Sequence, residues 1–458
     1  MTLTTTLAPK ARAITAAAIR DWLDRGDTES IRVALTAQHA ADLANILGAF
    51  ETPEIARLLT LLPLRLQAEA FGYLDEALQL ELADTLDRRA LTAIVAAMSH
   101  DERADLFASL SEESRAVLLP GLAKAERDDM LKLAAYEEGT VGSVMTSDYA
   151  TLPPTLTAPE AVEHLRTAAP DAETIYSAYV LNAERQLVGA VRLRDLILAR
   201  PGQTVGDLMR ADPPHIRAGA PREEAVALIA KYDLLALPVI NGGDKMVGIV
   251  TADDALDVAA EEATIDFHRQ ASVGEVGASV LKAPLWMLYR ARVVWLVLLV
   301  FGNIFSGAGI ASFEEMLEAN IALVFFLPLL IDSGGNSGSQ AATLMVRSLA
   351  LGDVTRADYA RLIGREVVIA ALLGITMALA VSLIGFVRAG PEVAVVVAAS
   401  MVVIVLMGSL IGMSLPFLLS RLNIDPATAS APLVTSIADA AGVLIYFGLA
   451  YYVFGFAG

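Results

Sequence analysis

Apolar residues recur along this chain with three different periods, and each predicts a different kind of structure. Between about Asp42 and Tyr136 they return at helical spacing in the stretches PEIARLLTLL, QLELADTLD, DERADLFASL and ERDDMLKLAA, each opened by an acid or a turn residue. Helices this short bury a face only by stacking on neighbours, so a repeat of roughly 22 to 26 residues predicts a small helical superhelix. From Val141 to about Val258 short β-branched runs alternate with helices, and the order repeats: TVGSVM through AYVLN and VGAVRLRDLI, then TVGDLM through ALPVI and VGIVTADDAL. Two copies of one small α/β unit account for this. After Pro284 the apolar runs lengthen to five, over 285–307, 320–348, 362–388, 392–420 and 431–456. Each is long enough to cross a hydrocarbon core, which takes about 20 helical residues.

Composition agrees with a chain partly in lipid, since 55% of its 458 residues are hydrophobic and the mean hydropathy is +0.53. Of the formal net charge of −19, −17 falls before Pro284. The polar half therefore repels anions, and a nucleic-acid partner is excluded because no basic face exists to neutralise phosphates. An acidic surface points to cations instead. The absence of cysteine rules out disulfides and thiolate metal sites, and His39, His100, His164, His215 and His268 show no paired ligand spacing for zinc. No Walker-type loop is present, and the acids lack an accompanying nucleophile and base, so no enzyme is expected. The first residues contain no continuous apolar core, and no signal peptide is expected. Arginine placement orients the spans. Arg290, Arg292, Arg347, Arg356, Arg361, Arg365 and Arg421 fall on one side and Arg388 alone on the other. The polar half is thus expected in the cytoplasm, and five spans put the C-terminus outside.

The repeated α/β unit resembles a tandem CBS pair, with LPVI and GIVTADD in the second copy. The adenylate pattern of such modules is met by Gly248, Thr251 and Asp254, whereas the first copy has Arg192 in the threonine position, so one ATP pocket at most is expected. A purely structural alternative has Thr251 capping a helix and Gly248 permitting a tight turn.

Ionisable groups inside an apolar span are costly and mark function by default. Asp439 is such a group, flanked by Ala438, Ala440, Ala441 and Gly442, which leave room for a hydrated ion. Magnesium keeps its waters and often binds through one or two carboxylates, so one Asp doubled by symmetry could hold its shell; a structural Asp held by Thr435 and Ser436 is the alternative. In the second span Pro328, Gly334, Gly335 and Gly338 are expected to loosen the helix, letting Asn336, Ser337, Ser339 and Gln340 line a cavity. A polar packing seam is the bland alternative.

The stretches PLLIDSGGNSGSQAATLMVRSLALGDV, APLVTSIADAAG and KYDLLALPVINGGDKMVGIVTADDALDVAAEEATID resemble the MgtE family of magnesium channels, and the likeness covers nearly the whole chain. It implies a multidomain membrane protein: an all-α helical-superhelix N domain over 1–138, tandem CBS α/β domains over 139–201 and 202–264, a connecting plug helix over 265–283, and a five-helix α transmembrane pore domain over 284–458. It further implies a homodimer in a bacterial inner membrane, with its pore at the dimer interface, Asp439 as the carboxylate that recognises hydrated Mg2+, and Asn336 lining the pore. A cytoplasmic Mg2+ sensor would comprise Asp101 and Asp105 in the N domain, Glu223, Asp233, Asp254, Asp257, Glu262 and Asp266 around the second CBS unit, and Asp425 at the pore mouth. Facing carboxylates repel, and a bridging divalent ion removes that cost, so rising Mg2+ would favour the compact closed state. Two positions depart from the family pattern. Ile265 replaces an acid in EATID, and Asp332 adds a carboxylate to the second span. A broader divalent-cation transporter or exchanger, and a nucleotide-responsive membrane sensor without conduction, are the competing readings.

Overall fold

The computed structural model describes residues 14–168, 172–274, 283–350, 354–422 and 424–454. It divides into two compact units, Met1–Ala260 and Glu261–Gly458.

The first unit opens with ten short helices: α1 (Ala16–Arg25), α2 (Thr28–Thr36), α3 (Ala40–Leu47), α4 (Thr52–Leu59), α5 (Leu64–Gly72), α6 (Glu76–Thr85), α7 (Arg88–Ala97), α8 (His100–Ser109), α9 (Glu112–Leu118) and α10 (Lys124–Leu133). Local chemistry sets their ends. Asp27 accepts from the Ser30 amide to start α2, Asp87 from the Arg89 and Ala90 amides to start α7, and Glu54 reaches back to the Glu51 amide at α4. Their apolar faces, among them Ile31, Leu43, Ile55, Leu58, Phe71, Ile94 and Val95, merge into one continuous core. None of these helices could bury that face alone.

Two small sheets follow. The first holds β1 (Tyr149–Thr151), β2 (Thr174–Leu181), β3 (Leu187–Arg192) and β4 (Arg210–Ala211) in that order, beside α11 (Ala158–Ala168), α12 (Leu193–Ile197) and α13 (Val205–Leu208). The second holds β5 (Ile216–Arg217), β6 (Ala236–Ile240) and β7 (Met246–Thr251), with α14 (Arg222–Tyr232) and α15 (Ala252–Gln270). The outer strand pairs parallel and the hairpin antiparallel in both. The repeat seen in the sequence is therefore a repeat of topology. The openings of the two copies are exchanged, however: Val141 and Met145 enter the core of the second copy, while Val205 enters that of the first. Reciprocal 2.9 Å bonds join the backbones of Thr146 and Ile249.

In the second unit the α15 helix continues unbroken through Glu262 and Asp266 to Gln270. The predicted plug helix therefore starts as the tail of α15, and residues 275–282 of it lie outside the described residues. The long helices are α16 (Leu285–Ala311), α18 (Ala322–Ala350), α19 (Tyr359–Ala389), α20 (Pro391–Arg421) and α21 (Ala431–Val453), with the short α17 (Glu314–Ala319) between the first two. Among the described residues, α16, α19, α20 and α21 are long and apolar enough to cross a membrane. At 29 residues α18 matches them in length, but polar side chains dilute it. Val396, Val397, Ile404, Phe326, Leu330, Val443 and Tyr446 form the core where α18, α20 and α21 meet.

Candidate ion path and acidic sensor sites

The predicted loosening of the second span does not occur, because α18 is helical throughout, with Pro328 inside it. Its glycines serve close packing instead. A Cβ on Gly338 would stand 2.6 Å from the Gly408 carbonyl oxygen, one on Gly408 would overlap the Gly334 carbonyl, and one on Gly335 would meet Thr435 Cγ2 at 2.8 Å. Helices that touch backbone to backbone support each other without gaps. The buried hydroxyls of Ser337 and Ser409 add a hydrogen bond of 2.5 Å across that contact.

Fixing one side of α18 against α20 and α21 leaves the opposite side exposed; it carries Phe325, Leu329 and Leu344 towards its ends and is polar in its middle. Asp332, Asn336 and Gln340 follow one another at four-residue steps along it. The Asn336 amide donates to Asp332 Oδ2 at 2.9 Å, and the Asp332 carboxylate is within electrostatic range of Asp439 on α21. Asp439 Oδ1 is buried and meets no hydrogen-bond partner among the described residues. Thr435, the hydroxyl expected to hold a structural Asp439, pairs with Ser339 at 3.2 Å instead. Asp439, Asp332 and Asn336 thus converge beside one exposed face.

Among the cytoplasmic candidates, the structure brings Asp101 and Asp254 together. His100 on α8 bonds Asp129 on α10 at 2.6 Å and Ser147 at 2.8 Å, and this seam draws the start of α8 onto the CBS pair. Asp101 lies there with Oδ1 buried and without a hydrogen-bond partner among the described residues. Burial raises its pKa. Burial, then the Asp101 charge, pushes Glu102 and Asp254 each up to about 7, and burial with Asp101, Asp253 and Asp148 raises Glu173. A second acidic group lies within Glu261–Gly458. Burial first, then Asp425, raises Asp266, with Glu262 adding to it, while Arg269 opposes. Arg269 pairs directly with Asp425. The other candidates are on exposed surface: Asp105 on α8, Glu223 on α14, Asp233 at the left-handed end of α14 with φ 51°, and Asp257 on α15. Among the described residues no three acids or histidines of one chain are grouped so as to hold a metal ion.

At the expected adenylate position the roles are partly structural. Thr251 is 5% exposed, and its hydroxyl donates to Asp254 at 2.5 Å at the start of α15. Gly248 is glycine because the exchanged opening segment crosses it, and a Cβ there would stand 2.7 Å from the Thr146 carbonyl oxygen. Several residues went unnoticed in the sequence. Glu102, Glu173 and Asp253 join the acids around Asp101, and Glu366 on α19 lies against the Ser409 hydroxyl of α20. Only Glu102 carried a signal, its place beside Asp101 in the first turn of α8.

The family profile described as "Divalent cation transporter", MgtE, matches residues 327–449, that of the MgtE intracellular N domain matches 38–139, and CBS domains match 141–202 and 205–261. The magnesium transporter MgtE of Thermus thermophilus is 37% identical over 95% of this chain and 97% of its own length. The chain belongs to the MgtE family. The magnesium transporter MgtE of Bacillus subtilis is 34% identical over 93% of the chain and 94% of its own. A crystal structure of the cytosolic domain of the Mg2+ channel MgtE in complex with ATP superimposes with a TM-score of 0.51 at 35% identity, covering 53% of this chain and 99% of that one. The resemblance inferred from PLLIDSGGNSGSQ and APLVTSIADAAG is thereby established over the full order of MgtE domains.

Proposed function

We propose that this MgtE chain admits Mg2+ through a pore lined by α18 and α21 of two copies, with Asp439 as its selective carboxylate. The chain is a magnesium transporter regulated from the cytoplasm, and not an enzyme. One observation carries the pore reading: a helix of membrane-spanning length exposes Asp332, Asn336 and Gln340 in a row beside the unpartnered oxygen of Asp439. Lipid cannot cover such a row without a large desolvation cost, whereas a second copy facing it across a watery path can. All five long helices then span the inner membrane, the N domain and CBS pair face the cytoplasm, and the C-terminus lies outside.

The acids around Asp101 and Asp254, and those around Asp266 and Asp425, support a sensor. Each group is incomplete as a metal site within one chain, and Asp105, Glu223, Asp233 and Asp257 are exposed where a partner or a domain movement would bring them in. Mg2+ bridging these acids favours the compact, closed state. ATP is a regulatory ligand of the CBS pair on the strength of the ATP complex of the similar cytosolic domain, with Gly248, Thr251 and Asp254 at the expected position. A broader divalent selectivity remains the second reading, favoured by the family description itself. The membrane half has neither Cys nor His, which speaks against soft metals.

Magnesium uptake into proteoliposomes tests the pore. Wild type takes up Mg2+, and Asp439→Ala lowers the rate by about a hundredfold, as for losing a charged contact worth about 2–3 kcal/mol. Undiminished uptake by Asp439→Ala would move the selective group elsewhere.

A further inference from the structure

The hydrogen bond between Asp332 and Asn336 has a fixed direction. An ionised carboxylate only accepts, so the Asn336 contact at 2.9 Å is made by its NH2 group, and its amide oxygen is turned away from Asp332. That oxygen is left on the exposed polar face of α18, the face beside Asp439. Asp332 itself is exposed there, one helical turn from Asn336. Asp439 on α21 lies within electrostatic range of it. Neither of the two helices supplies a basic side chain beside them: α21 carries none, and the single arginine of α18, Arg347, is about four turns from Asp332.

We propose that Asp332 is a specificity-determining residue of the ion path, orienting the Asn336 amide oxygen towards the ion and adding a second carboxylate per chain to that of Asp439. The proposal rests on the reading of Asp439 as the pore carboxylate. A hydrated Mg2+ presents water hydrogens on all sides and needs acceptors around them. The carboxylate oxygens of Asp332 and Asp439 and the Asn336 amide oxygen are such acceptors, and the unmatched negative charge favours a divalent over a monovalent ion by the product of charges. Asp332 is thereby a source of preference for Mg2+ over K+.

The test measures reversal potentials of the full-length protein in planar bilayers with Mg2+ on one side and K+ on the other, for wild type, Asp332→Asn, Asp332→Ala, Asn336→Ala, the Asp332→Ala/Asn336→Ala double variant and Asp439→Asn. Asp332→Asn is nearly isosteric and keeps an acceptor for Asn336, so its Mg2+/K+ permeability ratio falls through loss of charge, on the order of tenfold. Asp332→Ala lowers the ratio further, and adding Asn336→Ala to it then costs little, because Asn336 has already lost its orientation. A ratio unchanged in Asp332→Asn, or fully additive effects in the double variant, would overturn the proposal. If Asp439→Asn loses selectivity while Asp332→Asn does not, only the role of Asp332 fails; if wild type conducts and Asp439→Asn matches it, or wild type does not conduct, the pore reading fails and the role of Asp332 with it.

Discussion

A carboxylate in an apolar bundle persists only where something repays its desolvation, and at Asp439 no hydrogen-bond partner among the described residues does so for Oδ1. That residue was legible in the sequence because no other charge shares its span. Glu366 was not, since it follows Arg365 near the start of α19 and has the sequence context of an interfacial residue; only its approach to Ser409 shows it turned into the bundle. Gly408 was illegible for another reason. A glycine in an apolar run says nothing about its neighbour, and its use appears only when the Gly334 carbonyl is found where a Cβ would be. Gly408→Val is therefore expected to force α18 and α20 apart at a cost of at least 1–3 kcal/mol, the usual range for overpacking. Thermal unfolding of the detergent-solubilised protein, followed by the exposure of buried Tyr446, checks this; an unchanged midpoint would show that the contact is looser than its geometry implies.

Elements were legible wherever their periodicity was long. The five apolar runs coincide with α16, α18, α19, α20 and α21 to within a few residues at each end, because a membrane-length run has one low-energy conformation. The continuity of α18 was missed because glycine and proline weaken an isolated helix, whereas here α20 and α21 fill the space their missing side chains leave. Exchange of the CBS openings was likewise hidden, since identical GxxM segments carry no label for the core they enter. At α8 and α15 the titration of acids has a definite sign. Glu102 and Asp254, each pushed up to about 7, keep protons in the folded, metal-free state that the unfolded chain releases at ordinary carboxylate values. The folded state binds more protons over that window, so stability of this region falls as pH rises from about 5 to about 7. In the proposed sensor, Mg2+ bound here would supply the missing counter-charge and remove the loss. Hydrogen exchange of α8 in the full-length protein is expected to speed up between pH 5 and pH 8 in chelator, after correction for intrinsic rates, and to do so much less in Mg2+. Equal protection at both pH values in chelator would mean that these carboxylates do not face one another in the metal-free protein.

At the scale of the whole molecule, an acidic half carrying −17 of the net charge precedes a bundle in which the polar middle of α18 is uncovered. The order of domains was readable from composition and repeat pattern, and it matches relatives of the MgtE family over 95% of the chain. How the proposed sensor acids come together was not readable, because Asp105, Glu223, Asp233 and Asp257 lie on exposed surface, where the proposed sensor needs a second copy or a domain movement to complete it. Sequence spacing within one chain carries no information about such meetings. Ile265, standing in for an acid of the family pattern, removes one possible ligand from the tail of α15, so closure is expected at higher cytoplasmic Mg2+ than a full set of acids would need.

The central claim is that Mg2+ on the cytoplasmic side closes a path through which Mg2+ enters. Single-channel recording from excised patches of membrane containing the full-length protein, with Mg2+ at the cytoplasmic face stepped upward from chelator levels, tests it directly. Open probability that is high in chelator and falls steeply as cytoplasmic Mg2+ rises, with the fall weakened in Asp101→Asn/Asp254→Asn, is the predicted result. Openings whose frequency does not respond to cytoplasmic Mg2+ would contradict the sensor, and no Mg2+ current at any level would contradict the pore.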